Sequence, residues 1–256
     1  MRWIFVALAI ALALPVHAQS FGQGKSVGLG ADAETQAFVT SNLIATFYHE
    51  LGHALIDVLA LPVLGREEDA ADILSTLLVD QLWEEESAVA MTFDSANAFL
   101  LYAAEDAAGG VEIPYWDEHS LDMQRYFNLA CLFYGAHPAT RGSIVTELEL
   151  PQDRADGCEA EFDLAAASWE VMLEDLTPAP NAKGLRLVGA DAKDPIAVIL
   201  AGEIASLNAV YSLPEWIDIH VEACGEANAF YDPEARSITM CTEYAADLAR
   251  IAATAE

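Results

Sequence analysis

The chain has 256 residues, of which 41 are acidic and 11 basic, so its formal charge at pH 7 is −30. A surface this acidic repels nucleic acid and anionic lipid headgroups, which excludes both as partners. The length allows one sizeable hydrophobic core or two small ones.

The first 18 residues have the pattern of a secretory signal peptide. Arg2 precedes an apolar run that ends at Leu14, and a small-residue site ends at Ala18. This pattern predicts a signal peptide over residues 1–18 that is removed on export. Because Gln19, and not a cysteine, follows the cleavage site, no lipid anchor is expected, and no later apolar run is long enough to span a bilayer. We therefore predict a periplasmic or extracellular protein without a membrane anchor.

Most of the chain after residue 18 is predicted to be helical, because Ala, Leu and Glu dominate and β-branched runs are few. Four glycines make residues 19–31 a flexible leader, and residues 32–256 are predicted to form a single domain. The predicted helices run from an N-cap at Asp32 to an end at Pro62 and Gly65, from 66 or 67 to about 86, and over 87–107, 120–134, 160–175 and 196–208, with a last helix at the C-terminus.

Residues 177–195 are rich in Pro, Gly and Asn and are predicted to form a flexible subdomain junction. A strand, IDIHVEA, follows at 217–223. The fold class is therefore α+β and predominantly helical, with a β-hairpin near the C-terminus. No pattern indicates an oligomeric state.

Four cysteines are present, and an even number in an exported chain favours two disulfides. Cys224 and Cys241 bracket two strand-like runs, NAFY and SITM, on either side of an Asp-Pro turn signal. A hairpin brings its two ends together, so we predict the pair Cys224–Cys241, which leaves Cys131 with Cys158.

The stretch FYHELGHALIDV contains two histidines four residues apart. On a helix His49 and His53 lie on one face, so both can present an imidazole nitrogen to one metal ion. Glu50 lies beside them, where a carboxylate can deprotonate a water next to zinc. Gly52 costs a helix about 1 kcal/mol relative to alanine, so we expect another element to approach closely there. The alternative is an amphipathic helix with two histidines on its polar face.

A catalytic zinc site needs a third protein ligand, and the acidic residues after the first helix are the candidates. They are Glu67, Glu68, Asp69 and Asp72. Carboxylates in a first helical turn are also favoured by the helix dipole without any metal. Asp72 lies one turn further on, where it should repel Glu68, and a nearby cation would relieve that repulsion. Glu68 as ligand, with Asp72 accepting a hydrogen bond from a ligand histidine, is the arrangement that uses both.

Other candidates are less distinctive. A histidine or tyrosine often stabilises the oxyanion beside a catalytic zinc, and we select His119 for this role, with a helix-capping or solvent-facing residue as the alternative. Arg66 and Arg125 are each predicted to form a structural ion pair, with a substrate carboxylate as the alternative partner. The remaining histidines and aromatics are predicted to be structural or core residues: Tyr48, Trp83, Phe93, Phe99, Tyr102, His137 and His220.

The motifs HELGH (49–53) and EDAAD (68–72) resemble the gluzincin metallopeptidases, whose third zinc ligand is a glutamate on the next helix. Together with WDEHSLDMQRYFNLACLFYG and CGEANAFYDPEARSITMC they resemble an exported metallopeptidase family of unknown function, over most of the chain after residue 18. The resemblance implies a zincin-like catalytic domain that hydrolyses peptide or protein substrates with Zn²⁺. The implied zinc ligands are His49, His53 and Glu68, with Glu50 as general base and Asp72 orienting a ligand histidine.

Two features depart from that family pattern. Only 14 residues separate His53 from Glu68, which leaves Glu67 as a substitute ligand. In zincins the strand that pairs with a peptide substrate normally precedes the active-site helix, where this chain has its glycine-rich leader. The alternative function is a secreted binding or scaffold protein with a structural or vestigial zinc site, which a fourth protein ligand, such as His119, would close.

Overall fold

A computed structural model describes Gln19, Leu29 and residues 32–254. The predicted signal peptide, 1–18, and the predicted leader, except for Gln19 and Leu29, lie outside the described residues. None of the helices in the described part of the chain is both long and apolar enough to cross a lipid bilayer.

The described residues form nine helices and four strands. The helices are α1 (Ala33–Val58), α2 (Glu67–Leu82), α3 (Glu85–Gly109), α4 (Asp122–Ala136), α5 (Gly142–Glu147), α6 (Gln152–Ala155), α7 (Cys158–Leu173), α8 (Pro195–Val210) and α9 (Thr242–Ala252). The strands are β1 (Leu185–Leu187), β2 (Ile217–Glu222), β3 (Ala229–Asp232) and β4 (Ser237–Cys241).

Helix α1 lies at the centre of the fold. Asp32 begins it as predicted, because its carboxylate accepts a hydrogen bond from the backbone N–H of Thr35. Buried residues occupy most of the helix circumference from Phe38 onward, which is typical of a helix enclosed by other elements. It packs against α2, α3, α8 and α9 and against strands β3 and β4. The hydrophobic core therefore surrounds the helix that carries the HELGH motif.

The four strands form one mixed sheet with the order β1-β2-β4-β3. Strands β1 and β4 run parallel to β2, and β3 runs antiparallel to β4. The predicted hairpin is thus confirmed as β3–β4, and the predominantly helical α+β class is confirmed as well. Strand β3 lies at the sheet edge, and no described strand pairs with its outer side.

Both predicted disulfides are present. Cys131–Cys158 joins α4 to the first residue of α7. Cys224–Cys241 joins the loop before β3 to the end of β4. Two disulfides are consistent with an exported protein, because thiols stay reduced in the cytosol.

The prediction of one helix continuing to about residue 86 was wrong. Helix α2 ends at Leu82 and α3 begins at Glu85, with Trp83 in extended conformation between them. Trp83 forms an isolated β-bridge with Gln19, and its indole N–H donates to the hydroxyl of Tyr48. These contacts come from distant parts of the chain, so the local pattern predicted a break between two helices but placed it about one turn too late.

The stretch 177–195 contains β1, which the sequence did not predict. Leu185–Leu187 is only three residues long and pairs in parallel with β2, so its strand conformation depends on a tertiary partner. The side chain of Asn208 on α8 supports it by accepting from the N–H of Leu185 and donating to the C=O of Leu185. The short helices α5 and α6 were not predicted either.

Candidate metal centre

Helices α1 and α2 bring the HELGH and EDAAD motifs together. Gly52 on α1 faces Ala71 on α2 so closely that a Cβ atom added at Gly52 would lie 2.8 Å from the Cα of Ala71. The close approach predicted at Gly52 is thereby confirmed. Because glycine has no side chain there, the two helices pack tightly enough for their polar side chains to meet.

Three ligand-type atoms converge between these helices. The Nε2 atoms of His49 and His53 are 3.2 Å apart, and Oε2 of Glu68 lies 3.1 Å from the first and 3.3 Å from the second. Zinc bound tetrahedrally at about 2.0–2.1 Å by nitrogen or oxygen separates its ligand atoms by about 3.4 Å. The donor set therefore fits zinc in chemistry and, within a few tenths of an ångström, in spacing.

The other ring nitrogen of each histidine meets a carboxylate. Nδ1 of His49 lies 2.7 Å from Oδ1 of Asp72, and Nδ1 of His53 lies 2.8 Å from Oε1 of Glu67. Such partners fix the ring orientation of metal-binding histidines and direct the free nitrogen to the ion. Glu67, which the sequence left open as a substitute ligand, thus lies behind His53, and Asp69 instead accepts a hydrogen bond from Ser120.

Arg125 on α4 forms the predicted ion pair. Its Nε and Nη2 atoms donate to both carboxylate oxygens of Asp72 at 2.8 and 2.7 Å, and its guanidinium lies over the ring of Phe99. Burial opposes ionisation of Asp72, but Arg125 and His49 hold its pKa well below the ordinary value. The repulsion expected between Glu68 and Asp72 is offset by these positive partners.

The loop before α4 places His119 at the same site. Its Nε2 atom lies 3.0 Å from Oε2 of Glu68, and ligand atoms of His49, Glu68 and His119 all lie within 4.8 Å of one another. Arg66 fixes this loop by donating to the carbonyl of His119 and the hydroxyl of Ser120. Arg66 forms none of the predicted ion pairs with a described residue, because the loop returns beside the start of α2 and offers neutral acceptors instead.

The histidines and the carboxylates of this cluster shift one another's pKa values. Burial would lower the pKa of His49, but hydrogen bonds that its ring donates to Asp72 and Glu68 raise it to about 9. Burial would raise the pKa of Glu68, but His119, His49 and His53 hold it well below its usual range. A metal ion must displace protons from the histidines, so its affinity for this site should rise with pH.

Glu50 differs from the other carboxylates. It is 7% exposed, and no described residue donates a hydrogen bond to its carboxylate. Burial raises its pKa above the ordinary value, although His49 and His53 oppose the shift. It lines a cavity of about 440 Å³, shared by α1, α2, α3 and α4. Glu50 is thus a buried carboxylate that faces open space beside the converging ligand atoms.

The sequence did not predict the cavity, because helical spacing cannot distinguish a side chain that fills a core from one that lines a void. Phe99 and Tyr102, predicted as core, are only partly buried and contribute to its wall, as does Tyr244 from α9. Tyr48 and Trp83 are fully in the core, as predicted, and Phe93 packs at its margin. His137 and His220 lie outside the histidine cluster, on α4's C-cap and on β2.

Comparison with known proteins links the chain to one family. The model of a family described as "putative metallopeptidase" matches residues 14–173 and 197–256, which is most of the chain. No curated protein and no solved structure is significantly similar to this chain.

Proposed function

Because the chain belongs to this family of "putative metallopeptidases", we propose that it is an exported, zincin-like zinc metallopeptidase of the gluzincin type. The proposal rests mainly on the environment of Glu50. This buried carboxylate has no hydrogen-bond partner among the described residues, and it faces a cavity beside a cluster of histidines and a glutamate. A general base needs this combination of raised pKa and access to a water molecule. The two disulfides support the proposed removal of residues 1–18 and a periplasmic or extracellular location.

His49, His53 and Glu68 would hold the zinc ion, and Asp72 would orient His49 through its second ring nitrogen. A zinc ion held there supplies Lewis acidity, which polarises the scissile carbonyl and lowers the pKa of a neighbouring water.

The residues of the chain then move the protons. Glu50 accepts a proton from the water as the water oxygen forms a bond to the carbonyl carbon. As the C–N bond breaks, Glu50 passes this proton to the departing nitrogen, so a carboxylic acid and an amine result. The acid then loses its proton to the amine, which leaves a carboxylate and an ammonium group. His119 donates a hydrogen bond to the carbonyl oxygen as that oxygen becomes negative. A hydrogen bond with Glu68 raises the pKa of His119, which favours a proton on its ring.

The position of strand β3 favours a polypeptide as the substrate. Ala229, at its start, lines the same cavity as Glu50, and the Tyr231 hydroxyl donates to Asp57 near the end of α1. The Cys241 N–H donates to the carbonyl of Asn228, so pairing with β4 alternates from there and turns the backbone groups of Ala229 and Tyr231 to the outer edge. The Ala229 N–H donates there to the side-chain oxygen of Asn228, which leaves the Ala229 carbonyl and the groups of Tyr231 for a partner. An extended peptide could add to this edge beside the active-site helix. The C-terminal hairpin would then replace the strand that precedes the helix in other zincins.

One observation favours the alternative of a structural or vestigial zinc site. His119 lies as close to Glu68 as the other two histidines do, and a fourth protein ligand would close the site to substrate. The two functions differ in what His119 binds: the substrate oxygen in the peptidase, the metal in the scaffold protein.

Metal content measured by mass spectrometry, together with peptide cleavage, tests the proposal. Wild type should contain about one zinc per chain, and His53→Ala and Glu68→Ala should lose most of it. Glu50→Gln should keep the zinc and lose about 100-fold or more in turnover, since a general base contributes this much. Turnover that survives Glu50→Gln would contradict the mechanism. A wild-type protein that takes up no zinc would contradict the proposed function itself.

A further inference from the structure

The cavity next to Glu50 extends along α1, away from the metal cluster. Asn42, Ala45, Thr46, His49 and Glu50 all line it and recur at three- and four-residue intervals, so they form one face of the helix. Asn42 precedes Glu50 by eight residues, which is about 12 Å along the helix axis. The cavity is therefore long enough for a large side chain.

The middle of the cavity is apolar although several hydroxyl residues line it. The hydroxyl of Thr92 donates to the carbonyl of Ala88, and that of Thr76 donates to the carbonyl of Asp72. Hydroxyls that bond back to their own helix offer mainly their methyl groups to the space outside. Met91 and Phe99 add apolar surface. An aromatic ring would fit these walls without loss of hydrogen bonds.

The far end of the cavity is polar and incompletely hydrogen-bonded. Asn42 is 5% exposed, and its NH₂ group donates to the carbonyls of Phe38 and Asp94. Two carbonyl partners fix the orientation of the amide, so its oxygen is the atom left over, and no described residue donates to it. Ser95 is 7% exposed, and its hydroxyl has no hydrogen-bond partner among the described residues.

These two groups are neighbours. Asn42 binds the carbonyl of Asp94, the residue before Ser95, and both side chains line the cavity. The amide oxygen of Asn42 is an acceptor, and the hydroxyl of Ser95 can donate and accept. Buried polar groups of this kind are almost always paired, so an occupant with a hydroxyl at its tip would complete them.

We propose that this cavity selects a tyrosine side chain in one of the two residues that flank the cleaved bond. The phenol O–H donates to Oδ1 of Asn42, and the hydroxyl of Ser95 donates to the phenol oxygen. The ring lies between the methyl groups of Thr76 and Thr92. This assignment rests on the proposed peptidase function and adds its substrate preference.

Cleavage of a random-sequence peptide mixture by the zinc-loaded wild-type protein, with products identified by mass spectrometry, locates the preferred position. Peptides that differ only there, with Tyr, Phe, Leu or Ala, are then compared. We expect kcat/KM for Tyr to exceed that for Phe by about tenfold or more, because two hydrogen bonds would otherwise stay unmade. Equal rates for Tyr and Phe would overturn the assignment.

Ser95→Ala is the informative variant, because it removes a hydroxyl that has no hydrogen-bond partner in the described part of the chain. It should bring the Tyr-to-Phe ratio close to one while the rate for Phe changes little. Thr92→Val is the matched control in the same wall, and it should leave the ratio unchanged, because the Thr92 hydroxyl already binds Ala88. An unchanged ratio in Ser95→Ala also overturns the assignment.

A binding measurement separates this inference from the peptidase function. Calorimetry with N-acetyltyrosinamide and N-acetylphenylalaninamide needs no turnover and uses wild type beside Ser95→Ala. Preference for the tyrosine compound, lost in Ser95→Ala, supports the cavity assignment even in a protein that cleaves nothing, and in that case only the proposed function fails. Equal binding of both compounds overturns the cavity assignment.

Discussion

Gly52 and Ala71 meet where α1 crosses α2, with space for no atom between them: a Cβ at position 52 would lie 2.8 Å from the Cα of Ala71. Ala71 lies directly before Asp72, so this contact also sets the distance between the two halves of the candidate metal centre.

Gly52→Ala should therefore destabilise the protein, by roughly 1–3 kcal/mol, because the backbone of α2 cannot move aside locally. The zinc content should fall as well, since α2 carries Glu68. Urea unfolding and metal analysis measure the two effects. Gly202→Ala on α8 is the matched control: an added Cβ there meets nothing within 4 Å. It should stabilise the protein by up to about 1 kcal/mol through better helix propensity. A stabilised Gly52→Ala protein would contradict the close packing.

Arg125→Lys should weaken zinc binding by about tenfold or more, because lysine cannot hold both oxygens of Asp72 and His49 would lose a fixed partner. Competition with a chromophoric chelator gives the affinity. Arg250 binds both carboxylate oxygens of Glu105 in the same manner on an exposed surface, so Arg250→Lys is the control and should bind zinc as wild type does. Equal affinities in the two variants would show that Arg125 does not position His49.

His119→Ala should keep its zinc and lose about 100-fold or more in turnover, because a donor to the oxyanion contributes this much. His137→Ala changes a histidine outside the cluster and should behave as wild type in both measurements. Loss of zinc from His119→Ala would instead identify His119 as a fourth ligand and favour the scaffold function. Native mass spectrometry of the two variants makes the distinction before any substrate is known.

Asp94 should make stability depend on pH. Burial raises its pKa from 3.8 to about 6, although a hydrogen bond from Ser41 opposes the shift. The folded protein therefore holds this proton to higher pH than the unfolded chain does. The stabilisation is complete below about pH 4 and is lost as the pH rises through 6.

Asp94→Asn removes the buried charge and should stabilise the protein at pH 8 by at most about 3 kcal/mol, with little effect at pH 4. Thermal unfolding at the two pH values measures this difference. Asp175→Asn removes a charge at an exposed position and should show no such pH dependence. An equal gain at both pH values would mean that repulsion among surface charges, and not burial, is responsible.

The parts of the structure that sequence could predict are those that short patterns encode. Asp32 caps a helix through the third residue beyond it, and the two disulfides follow from a hairpin within 17 residues and the pair that remains. HELGH and EDAAD predict which side chains meet because each motif lies on one helix, and glycine at position 52 predicts that something must approach there.

The parts that could not be predicted depend on contacts between distant segments. The predicted break between α2 and α3 lies at Trp83 and not near residue 86, because Gln19 pairs with Trp83 and Tyr48 accepts its indole N–H. Glu67 meets Nδ1 of His53, and not Nε2 as Glu68 does, through the packing of α2 against α1, which the sequence does not specify. The unpaired polar atoms of Asn42 and Ser95 have no sequence signature, since the same residues could equally have bonded to each other.

Helix α1 runs unbroken for 26 residues from Ala33 to Val58, and both Asn42 and Glu50 belong to it. The distance between Asn42 and Glu50 along the cavity is thus set within one continuous helix. The width of the cavity, in contrast, is set by α2, α3 and α4, which can change residue by residue without touching the HELGH motif. Under the proposed function, family members with different substrates should therefore differ on the helices opposite α1, while keeping the same distance between Glu50 and the end of the cavity.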